Sequence, residues 1–319
     1  MGTSSKGRRE QLGKEYLSRE MEDGLGVRLF DGEVGFARKV FKKRQFEYID
    51  ISTGEWPDLD FLDDQSHSLK WITVKTPKIN WKRLVTIEGL QWLTLDCKPP
   101  RALSLDRLPN LRVLEMKAGG RLVVDGSPCE SLLDLSYNNL TSRDLGLLSM
   151  FPSLKHLSLR RAQSIEDLSG IGECQDLRGL YLQACRKLNA IGDDVPSSLV
   201  QLGIHSCLSL RDLSGLRRAT EMRQLELTGS GEIESLGFAA SMKKLEYLCV
   251  EENVRVRDKD VAFLREIASL KHAAYHGDLR PSADEMPNAF RSGERLYDFI
   301  PCARHLPSKA GILSDPTYD

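Results

Sequence analysis

The chain has 319 residues, with 45 Lys plus Arg against 46 Asp plus Glu, and its formal charge of −1 singles out neither polyanions nor acidic lipids as partners. Hydrophobic residues at 40% and charged residues at 29% exclude a disordered chain, while 25 Gly and 13 Pro exclude fibrous and low-complexity classes. Residues 1–10 lead into no apolar segment and no run of about 18 apolar residues occurs, so neither signal peptide nor membrane span is expected and a cytoplasmic location is.

Residues 1–45 form an expected N-terminal cap or leader, in which Leu12, Tyr16 and Met21 among alternating charges predict an amphipathic helix over 6–23. Between Arg38 and Arg44 five cations surround Phe41, with Phe46 close behind, a pattern that attracts phosphate. Because the whole chain is not basic, a solvated edge is the better account of that run.

From Phe46 onward a short register returns: apolar, two spacers, apolar, one spacer, apolar. Its copies include Phe46-Ile49-Ile51, Leu69-Ile72-Val74, Leu90-Leu93-Leu95, Leu111-Leu114-Met116, Leu154-Leu157-Leu159 and Leu177-Leu180-Leu182. They continue with Leu199-Leu202-Ile204, Met222-Leu225-Leu227 and Leu245-Leu248-Val250. Glu130-Leu133-Leu135 fits with one polar substitution, and Leu270-Ala273-Tyr275 is degenerate. The eleven middle positions step by 23, 21, 21, 19, 24, 23, 22, 23, 23 and 25 residues, a ruler that only a stacked architecture explains.

Three residues past many strands stands a small or amide side chain: Asn138, Ala162, Cys185, Cys207, Ser230, Asn253. Turned inward, such groups bond the backbone of a neighbouring coil. Ser142 to Met150 and Asp258 to Ala268 are expected as short outer helices. After Gly277 the repeat stops, and recurrent Pro with Phe290, Leu296, Tyr297, Phe299 and Ile300 predicts an irregular C-terminal cap and tail over 279–319. The seven cysteines are spread singly, without zinc-site spacing, and are expected to be reduced thiols.

On these residues the chain resembles the leucine-rich repeat proteins, whose pattern Leu-x-x-Leu-x-Leu-x-x-Asn/Cys-x-Leu is matched best by Glu130 to Leu140. The short repeats, with Ile165 to Ile171 echoed in Leu210 to Leu216, are similar to those of intracellular and bacterial members. The resemblance implies an α/β solenoid over 46–278, with a curved parallel sheet on the concave face and short helices, 3-10 turns and loops on the convex face. It further implies a protein-binding role without catalysis.

The residues between the inward apolar positions project from the opposite face. Tyr48, Trp71 and Trp92 then form an aromatic row beside Asp50, Asp96, Glu115 and Asp134, with Val113 and Leu132 extending an apolar patch. Replacing Trp71 and Trp92 by Ala is accordingly expected to abolish partner capture and leave unfolding nearly unchanged; an N-terminal segment folded over the aromatics is the alternative. Farther along, His156, Arg160, Tyr181, His205 and Tyr247 make a polar stretch, its histidines spaced as surface residues rather than metal ligands.

The expected function is therefore a non-catalytic, monomeric module that binds a protein partner through these side chains, with no cofactor, metal, nucleic acid or membrane. A regulatory subunit, a toxin-neutralising or effector-type bacterial protein, and a glycan or small-ligand binder using Trp71 and Trp92 are the alternatives. An appended ubiquitin ligase is not expected in the short segment after the repeats. A phosphate-binding loop is absent, and Cys302 with His305 lacks a third catalytic group.

Overall fold

The computed structural model describes residues 20–21, 24–30, 34–65, 67–99, 102–119, 122–251 and 253–275. The C-terminal cap expected over 279–319 lies outside them, as does the helix expected over 6–23 except at Glu20–Met21, which is a strand. The chain divides into two compact units, Met1–Ala118 with Leu122–Leu132, and Gly119–Arg121 with Leu133–Asp319. No helix among the described residues is long and apolar enough to cross a membrane.

In the first unit, β1 (Glu20–Met21) pairs antiparallel with β2 (Gly24–Leu29). Then β2, β3 (Tyr48–Ile51), β4 (Trp71–Val74), β5 (Trp92–Leu95) and β6 (Val113–Met116) pair in parallel, in chain order. Their register aligns Val27, Ile49, Ile72, Leu93 and Leu114, all buried. The sheet thus starts one coil before residue 46. Gly24 occupies the first apolar position of that coil, so the repeat is not visible there from leucines alone.

Between β2 and β3, helix α1 (Val34–Phe41) buries Ala37 and Phe41, whose ring lies 5.0 Å from Phe46 and 5.1 Å from Phe61. The aromatics of the basic run are therefore core, and its cations face out. Gln65, fully buried, satisfies this corner: its Oε1 accepts from the Phe46 N–H at 2.7 Å, and its Nε2 donates to the Phe41 and Arg44 carbonyls at 2.9 Å. Helix α2 (Trp81–Leu84) is a single turn whose Asn80 side chain accepts from the Arg83 N–H.

The second unit contains β7 (Asp134–Asn138), β8 (His156–Arg160), β9 (Gly179–Gln183), β10 (Gln201–His205) and β11 (Gln224–Thr228). Further on are β12 (Glu232–Ile233), β13 (Tyr247–Glu251), β14 (Arg255–Val256) and β15 (His272–Tyr275). All except β12 and β14 form one parallel sheet in chain order, and β12 pairs in parallel with β14.

One repeat shifts. The register sets Leu135 against Leu157 and Tyr137 against Leu159, so the apolar triplet is Leu132-Leu135-Tyr137, not Glu130-Leu133-Leu135. Leu132 and Tyr137 are fully buried, while Leu133 is half-buried. The middle positions then become 114, 135 and 157, and the irregular steps of 19 and 24 become 21 and 22.

After each of five strands the chain turns through a left-handed residue: Asn139, Arg161, Ala184, Ser206 and Gly229, with φ between 54° and 57°. The Arg161, Ala184 and Ser206 amides donate to the carbonyls of Gln183, His205 and Thr228 in the following coil, at 2.7, 2.8 and 2.9 Å. That hydrogen bond offsets the cost, about 1–2 kcal/mol, of holding a residue with a β-carbon in this region. Next, Ala162, Cys185, Cys207 and Ser230 turn inward as expected; Asn253 is exposed. The Cys185 thiol points to the Leu159 carbonyl at 3.8 Å and the Cys207 thiol to that of Leu182 at 3.9 Å.

Most return segments carry a 3-10 turn, and Gly146–Met150 and Ala262–Glu266 take this form in place of the expected outer helices. Their apolar residues recur every third position, as in Leu145-Leu148-Phe151-Leu154 and Val261-Leu264-Ile267-Leu270, all buried, and every amide after the first in each series donates to the carbonyl three residues back. Three residues per turn is the 3-10 period, and its 2.0 Å rise spans a coil with fewer residues than an α-helix needs. Polar side chains start these turns: Asp144, Asp167, Asp212 and Ser235 each accept from the amide two residues on.

Candidate functional site: the open face of the sheets

In the first unit the register brings Tyr48, Trp71, Trp92 and Val113 into one row, and Asp50, Thr73, Thr94 and Glu115 into the next. The expected aromatic row therefore exists. Its rings pack on one another: Tyr48 to Trp71 at 4.6 Å and 47°, and Trp71 to Trp92 at 4.5 Å and 16°. Tyr48 and Trp71 are half-buried, whereas Trp92 is 6% exposed. The indole faces are spent on each other, so the row offers edges to a ligand rather than a flat stacking platform.

Polar heads step along the row. The Tyr48 hydroxyl reaches Thr73 at 3.4 Å, and the Trp71 N–H reaches Thr94 at 3.3 Å. Thr94 in turn donates to Glu115 Oε2 at 2.7 Å. The Trp92 N–H is buried and has no acceptor among the described residues. Burial raises the Tyr48 phenol above its ordinary range, with its bond to Thr73 pulling the other way.

The carboxylates differ from the expected charged rim. Asp50 is 1% exposed, and its Oδ2 takes Arg28 Nε and Lys75 Nζ, each at 2.8 Å, while Ser52 donates to Oδ1 at 2.8 Å. Glu115 is likewise buried, with Lys117 at 3.4 Å; Asp96 alone of the three in this unit is exposed. Leu132, expected beside Val113 on this face, lies in the core.

In the second unit one open row runs Asp134, His156, Gly179, Gln201, Gln224, Tyr247, His272, and the next runs Ser136, Ser158, Tyr181, Gly203, Glu226, Cys249, Ala274. A third, Asn138, Arg160, Gln183, His205, Thr228, Glu251, closes the strand ends. His156, Arg160, Gln201, His205, Gln224, Tyr247 and His272 all keep partial exposure.

Tyr181 organises this grid. Its ring lies against the Gly203 backbone, where a β-carbon would stand 3.0 Å from Tyr181 Cδ2 and 3.3 Å from His205 Nε2. Arg160 covers the ring at 5.5 Å and His205 approaches it at 5.0 Å. His205 Nδ1 meets the Thr228 hydroxyl at 2.7 Å, and its Nε2 stands 3.5 Å from Glu226 Oε1. The Thr228 hydroxyl donates to Nδ1 in one tautomer of the ring and accepts from it in the other. Nearby, His156 Nδ1 lies 3.9 Å from Asp134 Oδ2, and Tyr247 stacks on His272 at 5.1 Å and 7°.

No protein-family model matches the chain and no curated protein matches it. Among solved structures it is similar to the leucine-rich repeat domain of the type III effector XopL, at 19% identity and TM-score 0.50, over 61% of this chain and 73% of that one. It is also similar to an internalin (inlF) of Listeria monocytogenes, at 16% identity and TM-score 0.49, over 74% and 71%. The chain has the leucine-rich-repeat fold. A leucine-rich repeat protein of Leptospira interrogans is similar over 78% of this chain and 76% of its own, at 13% identity and TM-score 0.46.

Within the leucine-rich-repeat fold the expected site residues fall on the strand face opposite the leucines, in two groups. Tyr48, Trp71, Trp92, Asp50 and Glu115 belong to the first unit with Asp96 at a strand end; Asp134, His156, Arg160, Tyr181, His205 and Tyr247 belong to the second. Leucine spacing places Glu226 on the open face but singles out neither it nor Thr228 as holding His205, nor Arg28 and Lys75 as holding Asp50. Each is visible once coils are aligned, because its partner stands one coil away, in the same row for Thr228 and Arg28 and in a neighbouring row for Glu226 and Lys75. Gly203 carries a further signal: a glycine at an outward strand position beside a tyrosine marks where a ring lies down.

Among the described residues no three His, Cys, Asp or Glu side chains converge as metal ligands. Burial pushes the Cys97 and Cys174 thiols up to about 12, and the hydrogen bond with Cys185 together with burial pushes Cys207 upward. These thiols are packing groups rather than nucleophiles.

Proposed function

We propose that the chain is a non-catalytic recognition module that binds a partner protein through the open face of the second unit. The observation that carries this reading is a contiguous grid of half-exposed polar and aromatic side chains, Arg160, His205, Gln224, Tyr247 and His272 among them, held at strand spacing on a rigid sheet. Aromatic residues and arginine dominate binding hot spots, and here stacking fixes their rotamers before a partner arrives, which lowers the ordering cost. Trp71 and Trp92 support a protein partner over a glycan, because their faces already stack on each other.

The test is partner capture by the intact chain, with the captured protein identified and its affinity measured. Arg160→Ala combined with Tyr247→Ala should weaken capture by about 30-fold or more, the effect of losing at least one hot spot of about 2 kcal/mol. Both side chains are partly exposed, so the melting temperature should barely move. Unchanged affinity in the double variant contradicts the proposal.

A further inference from the structure

The left-handed turns place a second surface away from the open sheet face. Because Arg161, Ala184 and Ser206 are equivalent in successive coils, Gln163, Arg186 and Leu208 are equivalent two residues on, about 4.8 Å apart from coil to coil. Leu208 is 57% exposed, more than any other large hydrophobic residue described. On the two preceding coils Arg161, Arg186 and Lys187 are all exposed, and none has an acidic partner among the described residues.

An isolated exposed leucine is ordinary on a protein surface. This one is held in place. Arg211 donates from Nη1 to the Leu208 carbonyl at 3.0 Å and to that of Leu210 at 2.9 Å, and the flanking Cys207 and Leu210 are buried. On the next coil stands Gly231, where a β-carbon would collide with the Leu208 carbonyl and the Arg211 guanidinium. The leucine thus projects from a clamped loop, with Arg186 and Lys187 on the coil before it and the Arg211 guanidinium in the space that Gly231 leaves open.

We infer that this rim, formed by Arg161, Arg186, Lys187 and Leu208, is a docking surface for an acidic protein segment that carries an apolar side chain. The cations supply attraction and orientation, and Leu208 supplies an apolar anchor that a purely electrostatic partner has no use for. Nucleic acid fits less well: few cations are present, no aromatic ring stands among them to stack a base, and the leucine adds nothing toward phosphate.

The full chain is titrated with three fluorescent probes: an Asp/Glu peptide of about eight residues with one central Leu, which when extended spans roughly five coils, the same peptide with Ser for Leu, and a duplex DNA of about 20 base pairs, which is longer than the rim. The Leu peptide should bind saturably, weaken as salt screens the charges, and lose about 10-fold or more in the Arg186→Glu, Lys187→Glu double variant. Leu208→Ser should weaken the Leu peptide by several-fold and leave the Ser peptide unchanged, and Tyr247→Ala should affect neither, which separates this surface from the open face. Absence of saturable peptide binding, affinity within twofold of wild type in the charge-reversed variant, or tighter binding of the duplex would overturn the inference.

Discussion

Tyr137→Ala should destabilise the protein by about 3–5 kcal/mol, the cost of emptying a fully buried aromatic position. Chemical unfolding of neighbouring variants makes this a test of register. Leu132→Ala removes a fully buried side chain and should cost about 2–5 kcal/mol, whereas Leu133→Ala, at a half-buried position, should cost less than about 1 kcal/mol. A register with Leu133 in the core reverses the last two values. The register matters beyond one residue: a slip of two keeps Asp134 on the open face but moves it from beside His156 to beside Ser158.

Trp92→Ala should cost about 3–5 kcal/mol, contrary to the expectation drawn from sequence that this residue is a free binding anchor. The ring is 6% exposed and stacked at 4.5 Å on Trp71, an arrangement worth about 0.5–1.5 kcal/mol beyond burial itself. Its N–H, however, has no acceptor among the described residues, a penalty of about 1–3 kcal/mol. Trp92→Phe keeps a stacked ring and deletes the orphan donor, so it should stay within about 1 kcal/mol of wild type. Thermal unfolding of the two variants separates ring from donor: a near-neutral Trp92→Ala restores the anchor reading, and a Phe variant as damaged as the Ala variant shows that the donor has a partner.

The coil architecture was legible in the sequence because leucine spacing reports two periods at once, the two-residue alternation of a strand and the repeat of roughly 22 residues. Three features escaped for physical reasons. The first coil has Gly24 where a leucine is usual, so its pattern lacks an anchor. Tyr137 fills a leucine position with an aromatic, while Leu133 and Leu135 mimic the spacing two residues early. The segment Asp258 to Ala268 is expected as a short helix, yet Val261, Leu264, Ile267 and Leu270 recur every three residues, a period that belongs to the 3-10 turn found there.

The open face was legible as positions but not as interactions. Alignment of coils placed Tyr48, Trp71 and Trp92 in one row, yet gave no indication that the rings would consume each other's faces or that Asp50 would be enclosed by Arg28, Lys75 and Ser52. Those outcomes depend on rotamers chosen across coils. In the second unit the same limitation hid the seating of Tyr181 on Gly203, which follows from a missing side chain rather than from a present one.

Hydroxyl-radical footprinting of the native chain, with each residue normalised to its rate in the unfolded chain, tests the alternation on which both the fold and the proposed binding face rest. Leu202, Leu225 and Leu248, each at most 1% exposed, should be almost fully protected, and His205, Tyr247 and His272 should remain reactive. Comparable protection of both sets, or oxidation of those leucines at rates near the unfolded chain, would contradict the account.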